Sequence, residues 1–290
     1  MTTASLDERI NAVGADREQG ASELARECLR IAADSAEQEP AADTGELLAL
    51  LARRAQRLES ARPSMAPVQN LVRTWSETLP ELSGRTLAEA RATAAARARG
   101  LIEQSLAAVD SVAEQVLQLL GEGTTVITHS LSSTLTRALT QAGRRRIHVV
   151  LTESRPLCEG YILARRLAAA GVRATLITDA QLGLWMERAD LAVTGADTVL
   201  ADGAVVNKAG TYLLALAARD RNVPFYVCCE TFKRRRGKVE APDLEEMDAS
   251  ELGAPGVPGV TVRNIYFDVT PARLVSGWVH ENGVSRPPAV

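Results

Sequence analysis

Between Ile147 and Cys229 the chain repeats one arrangement four times: a short β-branched apolar run, a polar cluster directly after it, then a helix-like segment or a turn. The runs are Ile147 to Leu151, Ala174 to Thr178, Leu191 to Thr194 and Phe225 to Cys229, and Thr124 to Thr128 adds one more upstream. Each is too short for a helix and is dominated by strand formers. This spacing predicts a parallel α/β sheet. In an open sheet of that kind ligands bind outside the carboxyl ends of the strands, at the point where the strand order reverses. The clusters Thr128-His129-Ser130, Thr152-Glu153-Ser154-Arg155, Asp179, Gly195-Ala196-Asp197 and Glu230-Thr231-Phe232-Lys233 are therefore expected to converge on one crevice.

Upstream of this region the pattern changes. From Leu6 to about Leu120, Ala, Leu, Arg and Glu are abundant and β-branched residues sparse, which predicts helices. Leu47, Leu48, Leu51, Ala55 and Leu58 recur at helical spacing, as do Leu101, Ile102, Leu106, Val109, Val112 and Val116 in a longer helix. Pro63, Pro67, Pro80 and Ser83-Gly84 mark connections. The shift at Gly121-Glu122-Gly123 places a boundary between a helical domain, residues 1–120, and a Rossmann-like ligand-binding domain, residues 121–290. After Pro242, Pro255 and Pro258 a last strand is expected at Val260 to Phe267.

At 290 residues, 46% hydrophobic and 24% charged, the chain can bury a sizeable core. A net charge of −3 and a pI near 5.8 argue against a general nucleic-acid binder, so any anion site must be local. Cys28, Cys158, Cys228 and Cys229 form no C-x-x-C pair and share no ligand spacing with the three histidines. No metal, no cofactor and a reducing cytoplasm are expected. The start, Met1 to Glu8, has no basic or apolar leader character, and no stretch approaches a membrane span.

Each cluster has a plain reading beside the functional one. Ser154 and Arg155 ahead of a helix suit a phosphate, and a hydroxyl cap with a surface arginine explains the same residues. Asp197 stands just past a strand end, where turn aspartates are common; Asp202-Gly203 reads as a hairpin turn between Val199-Leu200 and Val205-Val206, which leaves Asp197 at the crevice mouth. Asn207-Lys208 reads as the opening of a helix running to about Arg219, where a lysine opposes the helix dipole unless an anion sits there. Capping of a helix from Leu131 to Gln141 explains one or two of the hydroxyls of Ser130, Ser132 and Ser133, not all. His129, with no second ligand at spacing, reads as a buried or supporting residue rather than a metal ligand. In Lys233-Arg234-Arg235-Arg236 only Lys233 is near a strand end, so it is the member expected at an anion. Cys228 and Cys229, adjacent in a strand, point to opposite faces, and Arg144 to Arg146 lie at the far end of the sheet from the crevice.

Thr152-Glu153-Ser154-Arg155-Pro156 with Glu159-Gly160, Gly195-Ala196-Asp197, Asn207-Lys208-Ala209-Gly210-Thr211, Pro224 to Val227 and Phe267-Asp268-Val269-Thr270-Pro271 resemble the initiation factor 2B alpha/beta/delta-related family, which also contains methylthioribose-1-phosphate isomerase and ribose-1,5-bisphosphate isomerase. The resemblance covers nearly the whole chain and is strongest from Thr124 onward. It implies a helical domain on a Rossmann-like domain, paired as homodimers or higher assemblies, binding a phosphorylated sugar or nucleoside monophosphate. In the isomerase branches a Cys in a Thr-His-Cys stretch and the Asp of Gly-Ala-Asp move protons between an aldose 1-phosphate and a ketose 1-phosphate. Here these positions are Ser130 and Asp197. The change from thiol to alcohol matters, because a thiol of pKa ~8.5 exchanges a proton near neutrality and an alcohol needs an adjacent base.

The resemblance extends to the helical half. Gln19-Gly20-Ala21 stands where the isomerases carry Arg before Gly-Ala, so one anchoring charge near phosphate is missing, while Arg62-Pro63-Ser64 resembles the Arg-Pro-Thr stretch that lines the pocket. Gly20, Ala21, Arg62, Ser64, His129, Ser132, Arg155, Asn207, Lys208 and Lys233 are the expected substrate- and phosphate-binding residues. Two functions follow: a sugar-phosphate isomerase with Asp197 and Ser130 at the reacting centre, or a catalytically silent ligand-sensing subunit of the initiation factor kind.

Overall fold

The computed structural model describes residues 5–16, 19–236, 244–254 and 256–286. The chain divides into two compact units: Met1–Ala107 with Phe232–Arg236, and Ala108–Thr231 with Gly237–Val290.

The first unit is helical: α1 (Leu6–Ala15), α2 (Ala21–Gln38), α3 (Thr44–Glu59), α4 (Ala66–Ser76) and the first part of α5 (Leu87–Leu119). Local signals start these helices. Ser5 and Glu8 form a reciprocal capping box on α1, Asp43 caps α3 by accepting from the Glu46 amide at 2.8 Å, and Pro67 lies in the first turn of α4. Leu47, Leu51, Ala55 and Leu58 are buried along one face of α3 as their spacing predicts, and Leu48 is half-buried. The indole of buried Trp75 donates to the Ala94 carbonyl at 2.9 Å. Phe232–Arg236 joins this unit because the Asn70 side-chain amide donates to the carbonyls of Phe232 (2.6 Å) and Arg234 (2.8 Å).

The division falls inside α5 rather than at Gly121, because Val112, Ala113 and Val116 pack into the core of the second unit. Gly121 to Gly123 instead ends α5 and turns the chain into the sheet, with Gly123 at φ 76°. The upper part of the expected α5 stripe is not buried: Leu106 is 48% exposed and Leu101 and Ile102 are half-buried, while the buried face there is made by Ala90, Ala94, Ala95 and Ala98, small enough for close helix packing. No helix among the described residues is long and apolar enough to cross a membrane.

The second unit carries β1 (Thr125–Thr128), α6 (Ser133–Gln141), β2 (His148–Thr152), α7 (Gly160–Ala169), β3 (Arg173–Ile177), α8 (Leu182–Met186), β4 (Leu191–Thr194), β5 (Thr198–Val199), β6 (Val205–Lys208), α9 (Thr211–Asp220), β7 (Phe225–Cys228), β8 (Phe267–Thr270), β9 (Gly277–His280) and β10 (Gly283–Ser285). The main sheet has the order β10-β9-β7-β4-β1-β2-β3, parallel except for the terminal β9–β10 pair. Its parallel part is doubly wound, with β1 and β4 flanking the reversal point. Alternation along the strands fills both faces. Val126, Val149, Leu151 and Val193 pack with α6, α7 and the end of α5; Ile127, Val150, Ala192 and Phe225 pack with α8 and α9. Cys228 and Cys229 fall on opposite faces as expected, and burial pushes the Cys228 thiol up.

A small antiparallel sheet, β5-β6-β8, is inserted beside the main one. The Asp202-Gly203 hairpin forms it, with Gly203 at φ 86° and Asp202 Oδ1 accepting from the Ala204 amide at 2.9 Å. Two expectations change here. Asn207 and Lys208 end strand β6 rather than open a helix; Gly210, at φ 112°, makes the turn, and Asp268 on β8 caps α9 by accepting from the amides of Gly210 (2.7 Å) and Tyr212 (3.0 Å). The strand expected from Val260 begins only at Phe267, since Val260 and Ile265 are exposed and only an isolated Glu246–Ile265 bridge precedes it, and it is not the last, because β9 and β10 follow.

The start of α7 is seated directly on the end of β2: a Cβ added at Gly160 would lie 1.9 Å from the Thr152 carbonyl oxygen. Backbone cannot yield there as a side chain would. Gly160→Ala is expected to lower stability by about 3 kcal/mol, measured as a shift of the urea midpoint.

Candidate active site

The reversal point puts the residues that follow β1 and β4 side by side, and a directed chain of hydrogen bonds fixes them. Nε2 of His129 lies 2.9 Å from the Ala209 carbonyl, which can only accept, so Nε2 carries the proton. Nδ1 must then accept, and the Thr152 hydroxyl donates to it at 2.7 Å. With its proton committed, Thr152 Oγ1 accepts from the Ser154 hydroxyl at 3.0 Å, and Ser154 Oγ accepts from the Ser130 amide at 2.8 Å. His129 is buried, and burial holds its pKa below the usual histidine range against the opposing pull of Asp179. It is a neutral structural member of the crevice, as its isolation in sequence suggested.

Ser130 follows β1 at φ 69°, half-buried, and its hydroxyl donates to Glu159 Oε2 at 3.2 Å. The other carboxylate oxygen of Glu159 pairs with Lys208 Nζ at 2.8 Å, the side chains being 15% and 6% exposed. Lys208 Nζ also lies 3.8 Å from the centroid of the Tyr266 ring, a cation–π contact. Asn207 faces inward beside it, donating to Thr194 Oγ1 (3.0 Å) and Thr211 Oγ1 (2.9 Å).

Past β4, Asp197 is half-buried, and its amide donates to Val206 O at 3.0 Å. Ser132 caps α6, its Oγ accepting from the Leu135 amide at 3.2 Å. A Cβ at Gly195 would lie 2.7 Å from Ser132 Oγ, so the approach of these two segments requires glycine.

Residues 17–287 match the profile of the initiation factor 2 subunit family. The chain belongs to that family. A Pyrococcus horikoshii protein named as eIF-2B subunit 2-like is 40% identical over 78% of this chain and 77% of its own length. A ribose 1,5-bisphosphate isomerase of Archaeoglobus fulgidus is 34% identical over 80% of this chain and 75% of its own. The crystal structure of the translation initiation factor eIF-2B of P. horikoshii OT3 superposes with a TM-score of 0.86 at 36% identity, covering 99% of this chain and 98% of that one.

Within this initiation factor 2 subunit family member the second unit brings together Ser130, His129, Ser132, Asn207, Lys208 and Asp197 around the exits of β1, β4 and β6. Arg155 is exposed, and its guanidinium donates to the Leu252 carbonyl at 2.7 Å. The loop amides of Ser154 and Arg155 are not open to an anion: each donates to a carboxylate oxygen of Asp179 at 2.8 Å. Gly20, Ala21, Arg62, Ser64 and Lys233 belong to the first unit. There Gly20 precedes α2, Ala21 begins it, Arg62 Nη1 donates to the Asp16 carbonyl at 2.9 Å, and Ser64 and Lys233 are buried. Among the described residues no group of three or more His, Cys, Asp or Glu side chains is placed to hold a metal ion.

Glu159, noted only as part of the Glu159-Gly160 motif, and Tyr266 received no site role in the sequence reading. Glu159 immediately precedes α7, where an acidic residue has the ordinary role of complementing the helix dipole, and Tyr266 lies in a segment with no periodic pattern.

The depressed pKa of His129 links folding to pH. Above about pH 6.5 the ring is neutral in both folded and unfolded chains; below it the unfolded chain binds the proton first, so stability falls as pH drops toward the folded-state value. His148, lowered by burial and by Arg173, acts in the same direction. Asp268, raised by burial, acts oppositely from about pH 3.8 upward. Urea unfolding at pH 7.5 and 5.5 is expected to show a loss of stability that His129→Asn reduces more than His148→Asn does.

Proposed function

We propose that this chain is a sugar-phosphate-binding protein of the aldose 1-phosphate to ketose 1-phosphate isomerase type, with Asp197 moving the proton and Ser130 and Ser132 positioning the sugar. Arg155 and Lys208 supply donors for phosphate, while both amide hydrogens of Asn207 are spent on Thr194 and Thr211. The observation that carries this reading is the Ser130 hydroxyl directed at the Glu159 carboxylate beside Lys208. The 34% identical ribose 1,5-bisphosphate isomerase supports the same class. A second reading, a silent ligand-sensing subunit, draws on the 40% identity to the eIF-2B subunit 2-like protein and on the serine in place of a thiol.

The test is phosphorus and proton NMR of the purified chain with ribose-1,5-bisphosphate, methylthioribose-1-phosphate and simple aldose 1-phosphates. Ketose formation is expected, reduced by at least ~100-fold in Asp197→Asn; line broadening with no product from any substrate favours the sensor. In calorimetry, Arg155→Ala and Lys208→Ala are each expected to weaken sugar-phosphate affinity at least tenfold, about 1.4 kcal/mol. Unchanged affinity in both rejects the assignment of the crevice.

We further propose a cytoplasmic protein that pairs with copies of itself. The family resemblance implies this pairing. A mass of at least twice the 31.0 kDa chain is expected in light scattering; a strict monomer rejects the pairing.

A further inference from the structure

Ser130 occupies the left-handed region of backbone space at φ 69°, a conformation that non-glycine residues rarely adopt. Its amide is spent on Ser154, so the strained turn leaves the hydroxyl as the group presented to the crevice, and that hydroxyl is turned onto Glu159. Glu159 is bifunctional in consequence. Oε1 neutralises the buried ammonium of Lys208, and this contact alone accounts for its place in the fold. The bond from Ser130 to Oε2 is additional, and at 3.2 Å it has the length of a proton-transfer contact before substrate tightens it. An alcohol alone is a poor proton acceptor at neutral pH, but an alcohol hydrogen-bonded to a carboxylate can take a proton as it gives its own away.

We propose that Glu159 acts through Ser130 as the proton acceptor for a sugar hydroxyl, the two together standing in for a thiol. This rests on the isomerase-type reading above. In the step, the O–H bond of the sugar hydroxyl breaks and its proton passes to Ser130 Oγ, while the original Ser130 proton passes to Glu159 Oε2. The electron pair of the broken bond stays on the sugar oxygen. Glu159 ends neutral, Ser130 is unchanged, and one negative charge has moved from the carboxylate to the sugar. Lys208, deprived of its counter-charge in a low-dielectric setting, then stabilises the sugar oxyanion; reversal of the relay returns the proton after isomerisation. The arrangement selects substrates that carry a free hydroxyl next to the carbon being rearranged, which is the chemistry of aldose phosphates.

The experiment compares the full chain with Glu159→Gln, Ser130→Ala and the double variant Glu159→Gln/Ser130→Cys, using the sugar phosphate that the parent converts by NMR and calorimetry for affinity. Glutamine keeps an oxygen that accepts from Lys208 and presents an amide N–H that the Ser130 hydroxyl can accept, so the fold and binding are retained. Glu159→Gln is expected to bind within about threefold of the parent and to turn over at least ~100-fold more slowly, Ser130→Ala likewise. The added thiol, of pKa ~8.5, is expected to recover at least tenfold of the rate lost by Glu159→Gln, since it exchanges its own proton. Turnover by Glu159→Gln within threefold of the parent overturns the relay and leaves the isomerase reading standing. A double variant no faster than Glu159→Gln also overturns it, because Glu159 then serves only to hold Lys208. Absence of turnover by the parent with every substrate overturns both.

Discussion

The crevice depends on the neutral imidazole of His129. Its Nε2 is committed by a backbone carbonyl that can only accept, and with burial keeping the ring neutral its Nδ1 accepts from the Thr152 hydroxyl. That orders every bond downstream, through Thr152 and Ser154 to the amide of Ser130. The same ring ties the end of β1 to the end of β2 and to the turn between β6 and α9. A polar chain buried at this depth is stable only when all of its members are satisfied, and the close approach it requires explains Gly210, where a Cβ would lie 2.6 Å from His129 Nε2. Burial of the ring disfavours its protonated form.

With the imidazole neutral, the strong local field comes from Lys208 and Glu159. A buried ion pair contributes little net stability, since desolvation of both groups offsets their attraction, yet removing one partner leaves the other stranded at a cost of several kcal/mol. The pair is therefore weakly justified as a stabilising device. The ring of Tyr266 adds a favourable contact for the ammonium, and the hydroxyl of Ser130 adds one for the carboxylate. Each charge has a partner besides the other, which allows the charge on one to change without expelling the second from the interior.

The sheet was legible because β-branched runs of strand length are a short-range signal, and all five upstream runs became parallel strands with the polar residues at their carboxyl ends. Cys228 and Cys229 on opposite faces follow from the two-residue period alone. Lys208 was misplaced by its neighbours: Asn-Lys ahead of an apolar segment has the pattern of a capped helix, and only Gly210, whose positive φ turns the chain, together with Asp268 from a distant strand, shows that the helix begins three residues later. The boundary at Gly121 failed for a related reason. A helix of 33 residues can serve two cores in succession, and glycines mark where a helix ends, not where a core does. Glu159 was hidden because its function comes from Ser130 and Lys208, which are remote in sequence.

An alcohol at the end of β1 has opposite meanings in different surroundings. In an apolar pocket a serine at the end of β1 would be inert, since its proton has no acceptor and its alkoxide no compensating charge. Here the acceptor is a carboxylate at hydrogen-bond distance, and the compensating charge is an ammonium already desolvated beside it. A thiolate brings its own negative charge to a site; a serine–carboxylate couple keeps that charge on the carboxylate and exposes only a neutral hydroxyl to the substrate. The second arrangement keeps the resident negative charge held against Lys208 rather than exposed.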